Sequence, residues 1–243
     1  MASAPGVEAP PPGQTLNDDD EGLWKDLPPP AELEALTADL GTTLGRSSPA
    51  VTIAGSLDVM LLRWSQPLLH AELLSLPQMV STLRERGFSV LNLRDARLET
   101  LAALDLPALI VLRAVDGAPR YAALTGMGSE TVQLEGIGPT PLSVRSEDLE
   151  PYWQGEAFVP WRDFETLPSV LRPGTRGPHV EWLQQALLRL GVYRAGATGR
   201  YDANTVAGVR AIQERLDLSV DGTVGPVTKI QLYRALPGYA VPD

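Results

Sequence analysis

Two short phrases near the C-terminal end of this chain say nearly the same thing. Thr198-Gly199-Arg200-Tyr201-Asp202-Ala203-Asn204-Thr205 lines up with Asp221-Gly222-Thr223-Val224-Gly225-Pro226-Val227-Thr228, and each runs straight into an apolar helical pattern. Gly199 and Gly222 supply turn conformations that a side chain would resist. Asp202 stands where an N-cap belongs; in the second copy Gly225 takes that place, with Pro226 at the favoured first helical position. Thr205 and Thr228 fall in the first turns, and Tyr201 and Val224 point from loop to core. The chain therefore contains two copies of one loop-to-helix entry.

Three helices surround these entries. In "VEWLQQALLRLG" (180–191), Val180, Leu183, Leu187 and Leu190 share a stripe that Gly191 closes. "ANTVAGVRAIQERL" (203–216) repeats the pattern with Val206, Val209, Ile212 and Leu216, and "PVTKIQLYRAL" (226–236) uses Val227, Ile230 and Tyr233. Residues 168–236 thus read as a small three-helix bundle, near the lower size limit for folding alone, with 237–243 as a tail.

Upstream the character changes twice. Residues 1–48 hold "APPPG", "NDDDEG" and "LPPP". They offer too little apolar surface to offset ordering and read as an acidic, Pro-rich tether. Within it "AELEALTADLG" (31–41) has a short amphipathic helical pattern ending at Gly41, and Trp24 and Leu27 are candidates to dock on a partner. Residues 49–167 read as α+β. "SLDVMLLRW" (56–64) and "LPQMVSTLRERG" (76–87) have helical periodicity, and strand signals follow in "FSVLNL" (88–93), "ALIVLRA" (108–114), "RYAALTG" (120–126) and "ETVQLEG" (130–136). "VDGAP" between two of them is a hairpin turn signal. Helices followed by antiparallel strands predict a sheet with helices on one face.

Charge and residue usage remove several functions. The 243 residues contain no cysteine, so disulfides, thiolate metal sites and a cysteine nucleophile are all absent. Only two histidines are present, His70 and His179, without metal-ligand spacing; neither a metal nor a cofactor is expected. No Walker-type phosphate loop occurs. The net charge of −10 argues against nucleic acid. From residue 169 onward, however, nine basic residues face six acids, which suits an anionic polymer. The first residues show neither the basic start nor the apolar stretch of an export signal, so work outside the cytoplasm would need an export element not seen in this sequence.

The third segment resembles the peptidoglycan-binding domain found at the ends of many bacterial cell-wall hydrolases. Gly174, Gly177, Val180, Leu183, Gln184, Leu187, Leu190, Gly191, Gly199, Tyr201, Thr205, Gln213, Asp221, Gly222, Val224, Gly225 and Thr228 fall on that family's pattern. Thr198 for the usual Asp, Asp202 for Gly and Ile212 for Phe depart from it. The junction "LEPYWQGEAFVPWRDFETLPSVLRPGTRGPHVEWLQ" is similar to that of the general secretion pathway protein A family. There, a degenerate domain related to papain-like bacteriocin-processing cysteine peptidases ends in a W-x-G…W phrase, met here by Trp153, Gly155 and Trp161.

These resemblances imply a non-catalytic, periplasmic peptidoglycan-binding module that anchors a type II secretion assembly factor to the wall and supports secretin assembly. A secretin or a companion secretion subunit is the implied partner, and ring-templating assembly makes self-association a further expectation. The alternative is a cell-wall hydrolase or peptidase with residues 49–167 as its catalytic domain. Against it, Tyr121 stands where the related peptidases carry their histidine, and Ser56, near the start of the first helix, is a stand-in nucleophile with only His70 and His179 to serve as a base. Peptidoglycan presents hydroxyls, N-acetyl groups and carboxylates. Arg176, Arg200, Tyr201, Asp202, Arg210 and Gln213, in or beside the two repeated loops, are the candidate contacts, because Arg grips carboxylates bidentately. The competing assignment puts the arginines on solvated faces and makes Tyr201 and Gln213 ties between core and loops.

Overall fold

Arg120 explains where order begins in this chain. In the computed structural model, which describes residues 39–69 and 75–242, helix α1 (Leu40–Arg46) lies inside the stretch read from the sequence as tether. Asp39 caps its start through the Thr42 amide, and Leu40 and Leu44 are buried. At its C-terminal end the buried Arg120 guanidinium donates to the carbonyls of Leu44 (3.2 Å) and Ser47 (2.9 Å). A cation closing the orphan carbonyls favours the helix there. The helix runs through Gly41 rather than ending at it, because long-range packing and this cap outweigh the glycine's low propensity. The rest of the anticipated 31–41 helix, with Trp24, Leu27 and His70, lies outside the described residues.

Helix α2 (Pro49–Arg63) starts seven residues before the pattern read from sequence, with Ser48 as N-cap and Pro49 in the first turn. Its buried Ile53, Leu57, Met60 and Leu61 lie on the sheet. Helix α3 (Leu76–Glu85) begins in a capping box of Ser75 and Gln78 and packs beside strand β1 (Ser89–Leu93). Helix α4 (Leu98–Leu104) follows. Strands β2 (Ala108–Arg113) and β3 (Pro119–Met127) then form the anticipated hairpin, and β4 (Thr131–Glu135) and β5 (Leu142–Arg145) extend it. After the short α5 (Ser146–Leu149), strand β6 (Trp153–Trp161) carries the tryptophan phrase.

The six strands form one antiparallel sheet in the order β1-β6-β2-β3-β4-β5. Strand β2 is buried from Ala108 to Leu112, as an inner strand covered on both faces must be. This is the α+β class the sequence predicted, although cover on one face only was expected and β2 is buried on both. Strand β6 was not anticipated: Gly155 and Pro160 read against a strand, yet it lies inside the sheet between β1 and β2.

Helices α6 (Pro178–Arg189), α7 (Ala203–Arg215) and α8 (Pro226–Ala235) form the bundle within about two residues of their predicted bounds. Among the described residues no helix is long and apolar enough to cross a membrane. Helix α8 buries Thr228 through Tyr233 without a break, polar residues included. One side meets the bundle and the other meets the sheet domain. Gln231 donates to the carbonyl of Ala103 (2.6 Å), and Arg234 pairs with the Asp105 carboxylate at the end of α4. Lys229, 2% exposed, reaches Asp163 Oδ2 at 3.0 Å and the Leu167 carbonyl at 3.2 Å, with its ammonium 5.6 Å from the Trp161 ring centroid.

One backbone contact in the sheet domain is tight enough to test. Gly136 has φ +83°, and a Cβ there would lie 2.5 Å from the Ser56 amide nitrogen in the middle of α2. Gly117, in the β2–β3 turn, has φ +76° but opens onto free space. Gly117→Ala should cost about 1 kcal/mol, the conformational penalty alone. Gly136→Ala adds overpacking and should cost about 3 kcal/mol in urea unfolding. Equal losses would show that α2 does not press on this turn.

Candidate functional site

Each repeated loop is strapped to a buried glutamine from the helix before it. For the first loop the glutamine is Gln184 of α6. Its Oε1 accepts from the amides of Thr198 (2.7 Å) and Gly199 (2.9 Å), and its Nε2 donates to the Arg200 carbonyl (3.0 Å) and Thr205 Oγ1 (2.9 Å). For the second loop it is Gln213 of α7. Oε1 accepts from the Gly222 amide (2.9 Å), while Nε2 donates to Asp221 Oδ1 (2.9 Å), the Thr223 carbonyl (2.8 Å) and, more weakly, Thr228 Oγ1 (3.4 Å). A loop turning on a positive-φ glycine leaves amides and carbonyls without helix or sheet partners, and a primary amide offers both donors and acceptors.

The caps are as the sequence predicted. Asp202 Oδ1 accepts from the Thr205 amide at 2.9 Å, and Gly225 with Pro226 opens α8. The Thr205 amide bond holds the Asp202 carboxyl below its usual range, and the Thr223 amide does the same for Asp221. Tyr201, 3% exposed, donates its hydroxyl to the Gly222 carbonyl at 2.8 Å and so ties one loop to the other. Burial pushes its phenol well above the ordinary tyrosine range, with the Asp221 charge adding to the effect.

The linker into α6 threads along both loops. Leu171 pairs with Val224, and Arg176 stands directly opposite Arg200 in an antiparallel bridge. The flanking bonds run from the Gly177 amide to the Gly199 carbonyl (2.9 Å) and from the Tyr201 amide to the Thr175 carbonyl (2.9 Å). This makes 176 and 200 the non-hydrogen-bonded pair, whose side chains emerge close together on one side. Both arginines are exposed, and neither has an acidic partner among the described residues. Like charges held directly opposite are unfavourable until an anion bridges them.

The six candidate contacts therefore divide. Arg176 and Arg200 come together at the first loop, beside the exposed cap Asp202. Arg210 is exposed at the second loop, where its Nε would lie 3.1 Å from a Cβ on Gly222. Tyr201 and Gln213, taken from the sequence as contacts, face inward instead; they are 3% and 1% exposed because the loops need them as ties. Gln184 falls on the family pattern but was not among the candidate contacts, although its equivalence to Gln213 could have marked it as the first loop's tie.

The sheet domain's stand-in nucleophile is closed off. Ser56 lies in the middle of α2 rather than near its start, is fully buried, and donates Oγ to the Tyr121 carbonyl at 2.9 Å. Tyr121 is itself buried, and burial raises its phenol above the ordinary range. His179 belongs to α6 in the bundle.

With this geometry established, comparison with known proteins places a family on the bundle and relatives on more of the chain. Residues 176–232 match the family described as "Putative peptidoglycan binding domain". The chain is 30% identical over 138 residues to general secretion pathway protein A of Aeromonas hydrophila, covering 57% of this chain and 25% of that protein. It is 36% identical over 63 residues to N-acetylmuramoyl-L-alanine amidase CwlL of Bacillus licheniformis, covering 25% and 18% respectively. The chain thus spans a quarter or less of the curated relatives it matches. Among solved structures it resembles a periplasmic domain of the EpsAB fusion protein of the Vibrio vulnificus type II secretion system, with TM-score 0.48, 23% identity, and 78% and 82% of the two chains covered. The resemblances read from the sequence, to the peptidoglycan-binding domain and to general secretion pathway protein A, are both met.

The glutamine straps give a direct test. Gln213→Ala leaves the Gly222 amide buried without a partner and should cost about 1–3 kcal/mol in urea unfolding, as should Gln184→Ala for the first loop. Arg210→Ala, on an exposed side chain, should stay within about 0.5 kcal/mol. A silent Gln213→Ala would mean the strap does not hold the loop.

Proposed function

We propose that this chain is a non-catalytic, periplasmic peptidoglycan-binding module of a type II secretion assembly factor: the bundle grips the wall and the sheet domain supports secretin assembly. The observation that carries the reading is the extent of one alignment. The 138 residues aligned with general secretion pathway protein A exceed what the chain from residue 168 to its end can supply, so the likeness reaches back into the sheet domain. A wall-binding bundle shared with many hydrolases would not by itself do so.

The exposed Arg176–Arg200 pair, with Arg210 at the neighbouring loop, is the proposed wall contact, and Asp202 holds the first loop's shape beside it. Paired guanidinium groups suit peptide-stem carboxylates. Residues 49–167 are read as a degenerate peptidase-like domain. The chain has no cysteine, Tyr121 stands in the histidine's place and Ser56 is sealed inside α2, which together disfavour the hydrolase alternative. A cleft of about 800 Å³ between α1, α2 and the β4–β5 connection, lined by Val51, Val59, Pro139 and Pro141 among others, offers the sheet domain a place for a protein partner.

Co-sedimentation with purified sacculi tests the first half. The chain should pellet with sacculi and lose affinity as salt rises, because screening weakens exposed charge contacts. Arg176→Ala with Arg200→Ala should reduce binding about tenfold at low salt without lowering the unfolding midpoint, the size expected from two solvent-exposed ion-pair contacts. Salt-independent binding, or full binding by the double variant, would remove the arginine pair from the contact. Failure of the unaltered chain to pellet would overturn the wall-binding reading.

A further inference from the structure

A second cleft opens between α6, the strand-to-bundle linker and the segment that follows α8. Its volume is about 170 Å³, and its lining includes Glu165 from the linker, Trp182, Gln185 and Arg189 from α6, and Tyr239 beyond α8. That is well under the roughly 300 Å³ at which drug-sized pockets begin, so it has room for one small ring or side chain. Spacing on α6 puts Trp182, Gln185 and Arg189 on one helical face. Trp182 is half-buried, while Gln185 and Arg189 are exposed.

The polar groups here are held in place. Tyr239 donates its hydroxyl to Glu165 Oε1 at 2.6 Å, and Trp182 donates its indole N–H to the Tyr239 oxygen at 3.2 Å. Phe164 and Tyr233 pack against Tyr239 with ring centroids 5.2 and 4.8 Å away, so the aromatic wall is braced from behind. Neither Glu165 nor Arg189 enters an ion pair among the described residues.

We infer that this cleft is a subsite for one N-acetylated amino-sugar ring of a glycan strand. The inference rests on the wall-binding reading above and adds a second point of contact to it. An indole and a phenol present flat apolar surface with a polar edge, which suits the C–H face of a sugar bordered by hydroxyls. Gln185 can both donate and accept, as an N-acetyl group requires; Glu165 can accept from hydroxyls, and Arg189 can donate to ring substituents. A ligand that was only an anion would meet Glu165 as a like charge, and a purely apolar one would leave the carboxylate and guanidinium unanswered. Glu165 and Tyr239 lie outside the matched 176–232. The sugar subsite therefore exists only where the bundle is joined to the linker and tail of this chain.

Titrating the full chain with tetra-N-acetylchitotetraose tests this, with the Trp182 indole N–H resonance as the readout. The account expects a saturable shift of that resonance, and apparent affinity weakened about fivefold or more in both Gln185→Ala and Arg189→Ala, the effect of one lost hydrogen bond. Both positions are exposed, so their unfolding midpoints should not move. No shift at millimolar tetramer, or a shift indifferent to both variants, overturns the subsite. If the chain still pellets with sacculi in that case, wall binding stands and the sugar contact alone is wrong. Tetramer binding without sacculus binding would keep the cleft and remove the wall reading.

Discussion

The ammonium of Lys229 is held inside the protein between Asp163, the Leu167 carbonyl and the face of Trp161. A buried charge is costly unless it is paired and its remaining donors are met, and removing one partner of such a pair typically costs about 3–5 kcal/mol. Asp163 is committed twice, since Oδ1 also accepts from the Tyr233 hydroxyl at 2.6 Å. Burial, together with that bond, raises the Tyr233 phenol far above its ordinary range and keeps it a neutral donor. Lys229 and Tyr233 belong to the bundle's last helix, and Asp163 and Trp161 to the end of the sheet domain. The geometry at this seam fixes everything built across it, including the Glu165–Tyr239 bond and the α8 contacts with α4.

The repeated loops solve a different problem. A bundle of this size has little core to spare, and its loops turn on glycines that leave backbone groups unpaired. Gln184 and Gln213 answer those groups from inside, while Tyr201 spans from one loop to the other. The buried glutamines therefore make the loops rigid, and rigidity presents Arg176, Arg200 and Arg210 outward. The wall contact proposed here depends on residues that never touch the wall.

Much of this was legible in the sequence, and the limits have physical causes. The bundle could be read almost to the residue because each helix carries an apolar stripe and a start signal that agree with one another, and Gly191 closes the first. The β2–β3 hairpin was legible for the same reason. Strand β6 was not, because Gly155 and Pro160 contradict local strand propensity and only neighbours on both sides hold it in place. Helix α1 was hidden because its C-terminal cap, Arg120, lies more than seventy residues away in sequence. The inward turn of Tyr201 and Gln213 was weighed as the competing assignment. The seam was invisible: nothing local marks Lys229 and Gln231 of α8 as interior residues, and only tertiary structure buries them.

The central claim is that a wall-gripping bundle and a sheet domain are joined into one body, so that a hold on the wall is transmitted to whatever the sheet domain engages. Scanning calorimetry of the intact chain tests this most directly. The account predicts a single transition whose calorimetric and van't Hoff enthalpies agree, since two parts sharing a buried ion pair and an intervening helix should unfold together. Two separable transitions, with the bundle melting independently of the sheet domain, would contradict it.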